Sequence, residues 1–393
     1  MVNMVKIFML INSLAGGGAE RVASELSLHL NSHYERQIVT LTNVVTYPSN
    51  EPPISLNIKK NKNPKYLYLL LGFVTGIIKY RRLLKKHSPD ISMSFLVLDN
   101  FINIITTSNR RDVKTIVQVH TSLSKKFSES IWFPLIRILI EFMYKKADSI
   151  VVVSNGVKTE LIDIFKIRPD LITVIYNPVN ISQIEELASE KVENEWFSEN
   201  VPIILNMGRL TKAKGQWHLI RAFAKIRLNT PCKLVIIGSG ELENYLMDVV
   251  EKLDLHEEVK FLGWQENPYK YISKSSIFIL SSLWEALPYA LIEAMACGTP
   301  VISTNCKYGP EEILECGKRG ILIPVFDEKF NSASDPLSLE EEILVKKTLD
   351  LLREKSLREY YSRSGKERAY TFNIKNSILK YEELFEIMIN KKA

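Results

Sequence analysis

The stretch Ile203-Ile204-Leu205-Asn206-Met207-Gly208-Arg209-Leu210-Thr211-Lys212-Ala213-Lys214-Gly215 begins as an apolar run of strand length and breaks into a basic loop between glycines. Just upstream, residues 182–200 are acidic and polar, with Glu185, Glu186, Glu190, Glu193, Glu195 and Glu199, and read as a linker region. Downstream, apolar runs recur at 233–237, 259–262, 277–280 and 300–304, with helical stretches between them. The same alternation precedes the linker, at 5–11, 38–41, 90–95, 115–119 and 149–153. Near-continuous apolar runs between helices indicate parallel strands buried on both faces. At 393 residues the chain is too long for one ordinary core. The expected fold is α/β: two doubly wound, Rossmann-like domains, 1–182 and 200–371, facing each other across a cleft. No internal repeat goes beyond the shared βα pattern.

The final segment carries Ile374, Ile378, Tyr381, Phe385 and Met388 in steps of four and three, one helical stripe. Two readings stay open: a cap on the second domain, or a helix that crosses back so that 372–393 completes the first. Composition excludes other classes. Apolar residues make up 46% and charged residues 24%, so disordered and fibrous chains are ruled out. Cys232, Cys297, Cys306 and Cys316 are spaced for neither a zinc knuckle nor a disulfide scaffold, as in a protein of the reducing cytoplasm. The apolar run 7–11 is shorter than a signal core, and the longest such run, 66–78, would rise only about 20 Å as a helix. No spanning helix is expected.

The net charge of +6 is unevenly spread. Residues 1–182 hold 23 Lys and Arg against 13 acids, whereas 183–393 hold 28 against 32. Nine Lys or Arg and no acid lie between Pro52 and Pro89, and a local excess of this kind calls for a partner.

Three motifs carry chemistry. Gly16-Gly17-Gly18-Ala19-Glu20-Arg21 follows a strand and opens a helix, where backbone amides and the helix dipole favour an anion. Arg21 stands where a dinucleotide fingerprint needs a glycine, and the Lys-Ser/Thr ending of an ATPase loop is missing. A plain strand-to-helix turn is the competing reading. In 208–215, Arg209 offers a planar fork and Lys214 a mobile point charge at a strand's carboxyl end, suited to a departing diphosphate. In Trp284-Glu285-Ala286-Leu287-Pro288-Tyr289-Ala290-Leu291-Ile292-Glu293, Pro288 suits a helix's first turn. Glu285 then precedes the helix and Glu293 lies inside it, while the amides of Tyr289, Ala290 and Leu291 head it.

These motifs, with Ile-Gly-Ser-Gly-Glu at 237–241 and Phe-Leu-Gly at 261–263, occur in an order that resembles the GT-B glycosyltransferases, specifically glycosyltransferase family 4. The resemblance spans roughly the whole chain. It implies retaining transfer of a sugar from a nucleotide-sugar co-substrate, with no cofactor and no metal; the absence of any Asp-x-Asp agrees. By the same resemblance, Arg209 and Lys214 hold the donor diphosphate and Glu293 the ribose hydroxyls. Glu285, Pro288 and the amides of Tyr289, Ala290 and Leu291 hold the transferred sugar. Gly17 and Gly18 close on the phosphate, Leu262-Gly263-Trp264 meets the base through its backbone, and His120 sits near the reacting sugar. UDP is favoured over GDP by family habit.

The run Asn305-Cys306-Lys307-Tyr308-Gly309-Pro310-Glu311-Glu312-Ile313-Leu314 is similar to members that extend polyprenyl-diphosphate-linked glycans, often with N-acetylated sugars; Gly309-Pro310 can equally just start a helix. The basic segment 59–86 fits a lipid-linked acceptor, because its apolar centre between cationic flanks can lie in an anionic membrane interface. A second such candidate is Lys125-Lys126 followed by the apolar stretch 131–144. In both, the apolar faces can instead pack on the sheet. The expected place is the cytoplasmic face of the membrane. The competing functions are a nucleotide-sugar epimerase or phosphorylase on a similar frame, and a nonenzymatic basic binder. Nucleic acid is disfavoured as partner, since the basic run is interleaved mainly with aliphatic rather than stacking residues.

Overall fold

The structure, a computed structural model, describes residues 4–58, 66–199 and 201–390. The chain divides into two units, Met1–Pro178 with Ile374–Ala393, and Val179–Asn373.

The first unit runs β1 (Val5–Ile11), α1 (Gly18–His29), β2 (Tyr34–Thr40), β3 (Ile54–Ser55), α2 (Tyr66–His87), β4 (Ile91–Ser94) and α3 (Val97–Thr107). It continues with β5 (Lys114–Val119), α4 (Leu123–Phe127), α5 (Phe133–Tyr144), β6 (Ser149–Val152), α6 (Asn155–Asp163) and β7 (Ile172–Val174). All seven strands are parallel, in the order β3-β2-β1-β4-β5-β6-β7. The chain winds outward through β2 and β3, then returns to place β4 beside β1. The β1/β4 gap is thus the switch point, where ligands of such sheets bind. Right-handed crossovers put α2, α3, α5 and α6 on one face and α1 on the other.

The second unit runs α7 (Ile181–Ala188), β8 (Ile203–Met207), α8 (Gln216–Asn229), β9 (Lys233–Ile237), α9 (Glu243–Lys252), β10 (Val259–Gly263) and α10 (Tyr269–Ser273). Then come β11 (Ile277–Leu280), α11 (Tyr289–Ala296), β12 (Val301–Thr304), α12 (Pro310–Ile313), β13 (Ile321–Ile323), α13 (Leu339–Arg353) and α14 (Lys355–Ala369). Its six parallel strands lie in the order β10-β9-β8-β11-β12-β13, with the switch between β8 and β11. The core is aliphatic and centred on Ile204, Ile236, Ile277 and Ile279, with Trp217 and Phe223 of α8 packed over it.

The last helix, α15 (Ile374–Asn390), belongs to the first unit. Its stripe packs beside α1: Phe385 meets Tyr34 edge-on at 5.5 Å, and Ser377 Oγ donates to the Tyr176 carbonyl at 2.9 Å. Of the two readings of this segment, the crossing helix is the one seen.

Two local expectations are corrected. The acidic stretch read as linker is helical at its start, because Asn180 accepts the Gln183 amide and Ile181 and Ile184 are buried as one apolar edge. Pro288 caps α11 from outside, with ψ at 111°, rather than occupying its first turn. Lys59 to Lys65 of the basic segment lie outside the described residues.

Candidate functional site

In the second unit every sequence-identified group lies at the carboxyl edge of the sheet, and the glycines show why. The loop after β8 interlocks with the loop after β9: Gly208 N–H donates to the Ile237 carbonyl at 2.9 Å and Leu210 N–H to the Ser239 carbonyl at 3.0 Å. A Cβ on Gly238, whose φ is +138°, would stand 2.0 Å from the Gly208 oxygen, and one on Gly240 would stand 2.3 Å from that of Leu210. Only bare backbone allows this approach, and it presents exposed Arg209 at the strand end.

Gly215, at φ +57°, turns the chain into α8 and fits against Ser281, whose carbonyl a Cβ would meet at 2.5 Å. Leu283 N–H donates to the Ala213 carbonyl at 2.8 Å, and Ser281 Oγ to the Lys214 carbonyl at 2.8 Å. These bonds carry the β8 loop onto the β11 loop across the switch point. There Lys214 Nζ meets Glu285 Oε1 at 2.5 Å, and Ser282 Oγ donates to the same oxygen at 2.7 Å. The ammonium is thereby held at the switch point by Glu285, which stands three residues before Pro288, the N-cap of α11.

One turn into α11, Glu293 is 4% exposed and accepts from the Tyr269 hydroxyl at 2.8 Å. The α11 amides from Tyr289 to Leu291 form the positive end of the helix above it. Gly309, at φ +88°, backs the β11 loop: a Cβ there would come within 2.7 Å of Pro288 Cδ. Gly309-Pro310 therefore both starts α12 and braces the Pro288 turn. Leu262 is the penultimate residue of β10, with its carbonyl accepting from Gln265 Nε2 at 2.7 Å, while Gly263 at φ +65° ends the strand and turns the chain toward exposed Trp264.

In the first unit, Gly16 at φ +102° and Gly17 as N-cap bring the chain from β1 into α1, which starts at Gly18. His120 follows β5. Its Nε2 lies 2.8 Å from Gln118 Oε1, which also accepts from the Tyr381 hydroxyl of α15 at 3.0 Å. An oxygen already accepting from Tyr381 makes Nε2 the protonated ring nitrogen. The ring stacks on Phe95 at 5.9 Å. Burial pushes the imidazole down to about 4, with the neighbouring Asn177 side chain opposing by favouring the protonated ring, so His120 is neutral at neutral pH.

Sequence reasoning missed Asp99. This side chain sits at the β1/β4 switch point, fully buried, accepting the Asn12 N–H of the glycine loop at 2.9 Å. Burial pushes its carboxyl well above the usual carboxylate range, with the Asn12 N–H opposing, Glu20 adding to the rise and Lys126 countering it. Neither spacing nor composition singles it out in Leu98-Asp99-Asn100, since only sheet order brings 99 beside 12. Gln118 and Asn177 were missed for the same reason.

Two doubly wound parallel sheets, with glycine loops, cations and carboxylates at their switch points and a last helix returned to the first, define the GT-B class of fold. Residues 16–183 match Glycosyltransferase Family 4, and residues 189–368 match Glycosyl transferases group 1. The chain is 33% identical to an uncharacterized glycosyltransferase of Methanocaldococcus jannaschii, over 84% of this chain and 86% of the relative. It is 32% identical to the N-acetylgalactosamine-N,N'-diacetylbacillosaminyl-diphospho-undecaprenol 4-alpha-N-acetylgalactosaminyltransferase of Campylobacter jejuni, over 96% of this chain and 99% of that one. Among solved structures, Anabaena HepE in complex with UDP aligns at a TM-score of 0.74 with 18% identity, covering 97% of this chain and 100% of its own. The chain belongs to glycosyltransferase family 4.

Proposed function

We propose that this glycosyltransferase moves a sugar, an N-acetylated hexosamine or a hexose, from a UDP-sugar to a glycan carried on a polyprenyl diphosphate, with retention at the anomeric carbon and without a metal or other cofactor. The observation that carries the reading is the Lys214–Glu285 pair at the β8/β11 switch point, adjoining the head of α11 with Glu293 one turn inside. Support for the donor comes from the solved relative that holds UDP, and for the acceptor from the Campylobacter relative named for a diphospho-undecaprenol substrate.

In this reading Glu293 takes the ribose hydroxyls, and the Leu262–Trp264 turn takes the base. Arg209 and Lys214 take the diphosphate. Lys214 exchanges Glu285 for phosphate oxygen as donor enters, which frees Glu285 to accept from a hydroxyl of the sugar. When the bond from the anomeric carbon to phosphate oxygen breaks, its electron pair goes to the diphosphate. Fixed cations and the helix head stabilise that charge more in the transition state than before it. For neutral His120 and for Gly17 and Gly18 the reading keeps the roles that the family resemblance implies, toward the sugar and the phosphate. The basic segment 59–86 meets the anionic cytoplasmic surface where the acceptor resides.

The test is a thermal-shift and calorimetric screen of UDP, GDP, ADP and their sugars, since a ligand of the folded state raises its apparent stability. UDP and one UDP-sugar are expected to raise the melting temperature. Absence of any nucleotide response, with or without lipid, overturns the reading.

A further inference from the structure

The helices on the α2/α3/α5 side of the first sheet leave an apolar surface outward. Helix α3 lies between α2 and α5 and touches both, so their outer residues share one face. On α5 and its lead-in, Ile131 is 87% exposed, Trp132 63%, Leu135 59% and Phe142 58%, with Ile138 and Leu139 also exposed. Helix α3 adds Leu98 and Ile105, and α2 adds Leu71, Val74 and Ile78. The opposite sides of these helices are satisfied inward. Gly76 closes on Ile102 and Ile58, and the Tyr80 hydroxyl bonds Ser92 at 2.6 Å. The outward residues are therefore not a misassigned core.

Charge follows the same stripes. On α2 the exposed apolar positions give way to exposed Arg81, Arg82, Lys85 and Lys86, and on α5 to exposed Lys145 and Lys146. Both helices run against the strands, so their apolar halves share one level and their cationic ends another. Helix α2 contains no acid, the one acid of α3 is buried Asp99, and Glu141 of α5 is bonded to Lys145 at 2.6 Å. Exposed Glu129 stands in the loop before α5. Scattered exposed apolar residues are ordinary, but a contiguous set bordered by one sign of charge marks an interaction surface.

We infer that this face inserts into the interface of an anionic bilayer, with the α5 residues from Trp132 to Phe142 among the acyl chains and the cationic ends of α2 and α5 at the phosphates. Long basic side chains reach phosphate while their stems stay apolar, and a Trp prefers the interfacial level. Lys146 already lies over the Phe142 ring at 4.1 Å. The inference extends the membrane part of the proposed function by moving the inserted element from the basic segment to α5.

The test uses the full chain in flotation with vesicles of mixed phosphatidylglycerol and phosphatidylcholine, and of phosphatidylcholine alone. Trp132 is the one tryptophan of the first unit, so quenching by brominated acyl chains reports its depth. Expected are flotation with the mixed vesicles, weakened by salt, and quenching that Trp132→Phe removes. The triple variant Leu135→Ser, Leu139→Ser, Phe142→Ser is expected to lose about tenfold or more in partitioning with its circular dichroism unchanged. Lys85→Ala, Lys86→Ala, Lys146→Ala is expected to lose the preference for anionic vesicles. Wild-type protein that stays unfloated, a triple variant that floats as wild type, or a triple variant that only turns a dimer into a monomer in sedimentation each overturns the assignment. UDP binding is measured on the same samples. A chain that binds UDP but not vesicles fails this inference alone, whereas one without a UDP response fails the donor reading.

Discussion

Lys214 and Glu285 lie 71 positions apart in sequence, yet only 2.5 Å separates their charged atoms. Under the proposed function, a pair this close at a switch point keeps an ammonium oriented in advance of the reaction, and that preorganisation lowers a barrier on which charge develops. Lys214→Ala is expected to lower kcat for UDP release by on the order of 10²–10³ while leaving the fold intact. A steady-state assay in which the variant keeps kcat within a few-fold of wild type would refute the leaving-group role. His120 gives a second residue-level prediction. Its folded-state pKa of about 4 lies below the ordinary histidine value, so the native state binds fewer protons than the unfolded one. The stability it contributes is present above about pH 6.5 and is lost as pH falls toward 4, amounting to about 2–3 kcal/mol. Urea midpoints at pH 7 and pH 4.5 should therefore drop less in His120→Gln than in wild type. Equal drops would show that burial does not govern this ring.

Among the elements, α13 shows how a buried charge shapes the second unit. Ser338 and Glu341 form a capping box at its start, and Glu341 also receives His218 Nδ1 at 2.8 Å and Arg221 Nε at 2.9 Å. Arg221 bonds the carbonyls of Asp335 and Pro336 as well, so one side-chain cluster pins the loop before the helix. Burial works to raise the Glu341 pKa, but the hydrogen bonds from His218 and Arg221 hold it below the usual value. Its stability contribution is thus present above about pH 4.5 and fades below it. Glu341→Ala leaves Arg221 buried without its carboxylate and should destabilise the second unit by about 3–5 kcal/mol. Glu341→Gln, which keeps the shape, should cost less. Melting curves that do not separate the two variants from each other would remove the charge argument.

At the scale of the whole molecule, the chain returns to its first unit only through α15. Ile374, Ile378, Tyr381, Leu384, Phe385 and Met388 are buried there, and together stabilise that unit by on the order of 10 kcal/mol. That is comparable to the net stability of an ordinary domain. Deleting 374–393 is therefore expected to abolish the first unit's cooperative transition in calorimetry and to open it to limited proteolysis, with the second unit's transition kept. A truncated chain with both transitions unchanged would assign α15 a merely peripheral place. Tyr381 also bonds Gln118, whose Oε1 accepts from His120 Nε2, so the last helix reaches the carboxyl edge of the first sheet.

Local chemistry was enough to read ten of the thirteen strands among the described residues, the glycine loops and the paired glutamates. Apolar period, turn residues and helix heads act within a few positions, so they are written in the order of residues. The strands that escaped are β3, β7 and β13, of two or three residues each, which pair at or next to a sheet edge and carry too few residues for any period. Residue order alone dictates that the chain winds two parallel sheets and which loops bear cations and carboxylates. Which of those groups meet follows from the packed fold: Lys214 with Glu285, Asp99 with Asn12, Tyr381 with His120 through Gln118. Strand order, which no local pattern encodes, sets those distances, because it arises from the burial of every sheet face at once.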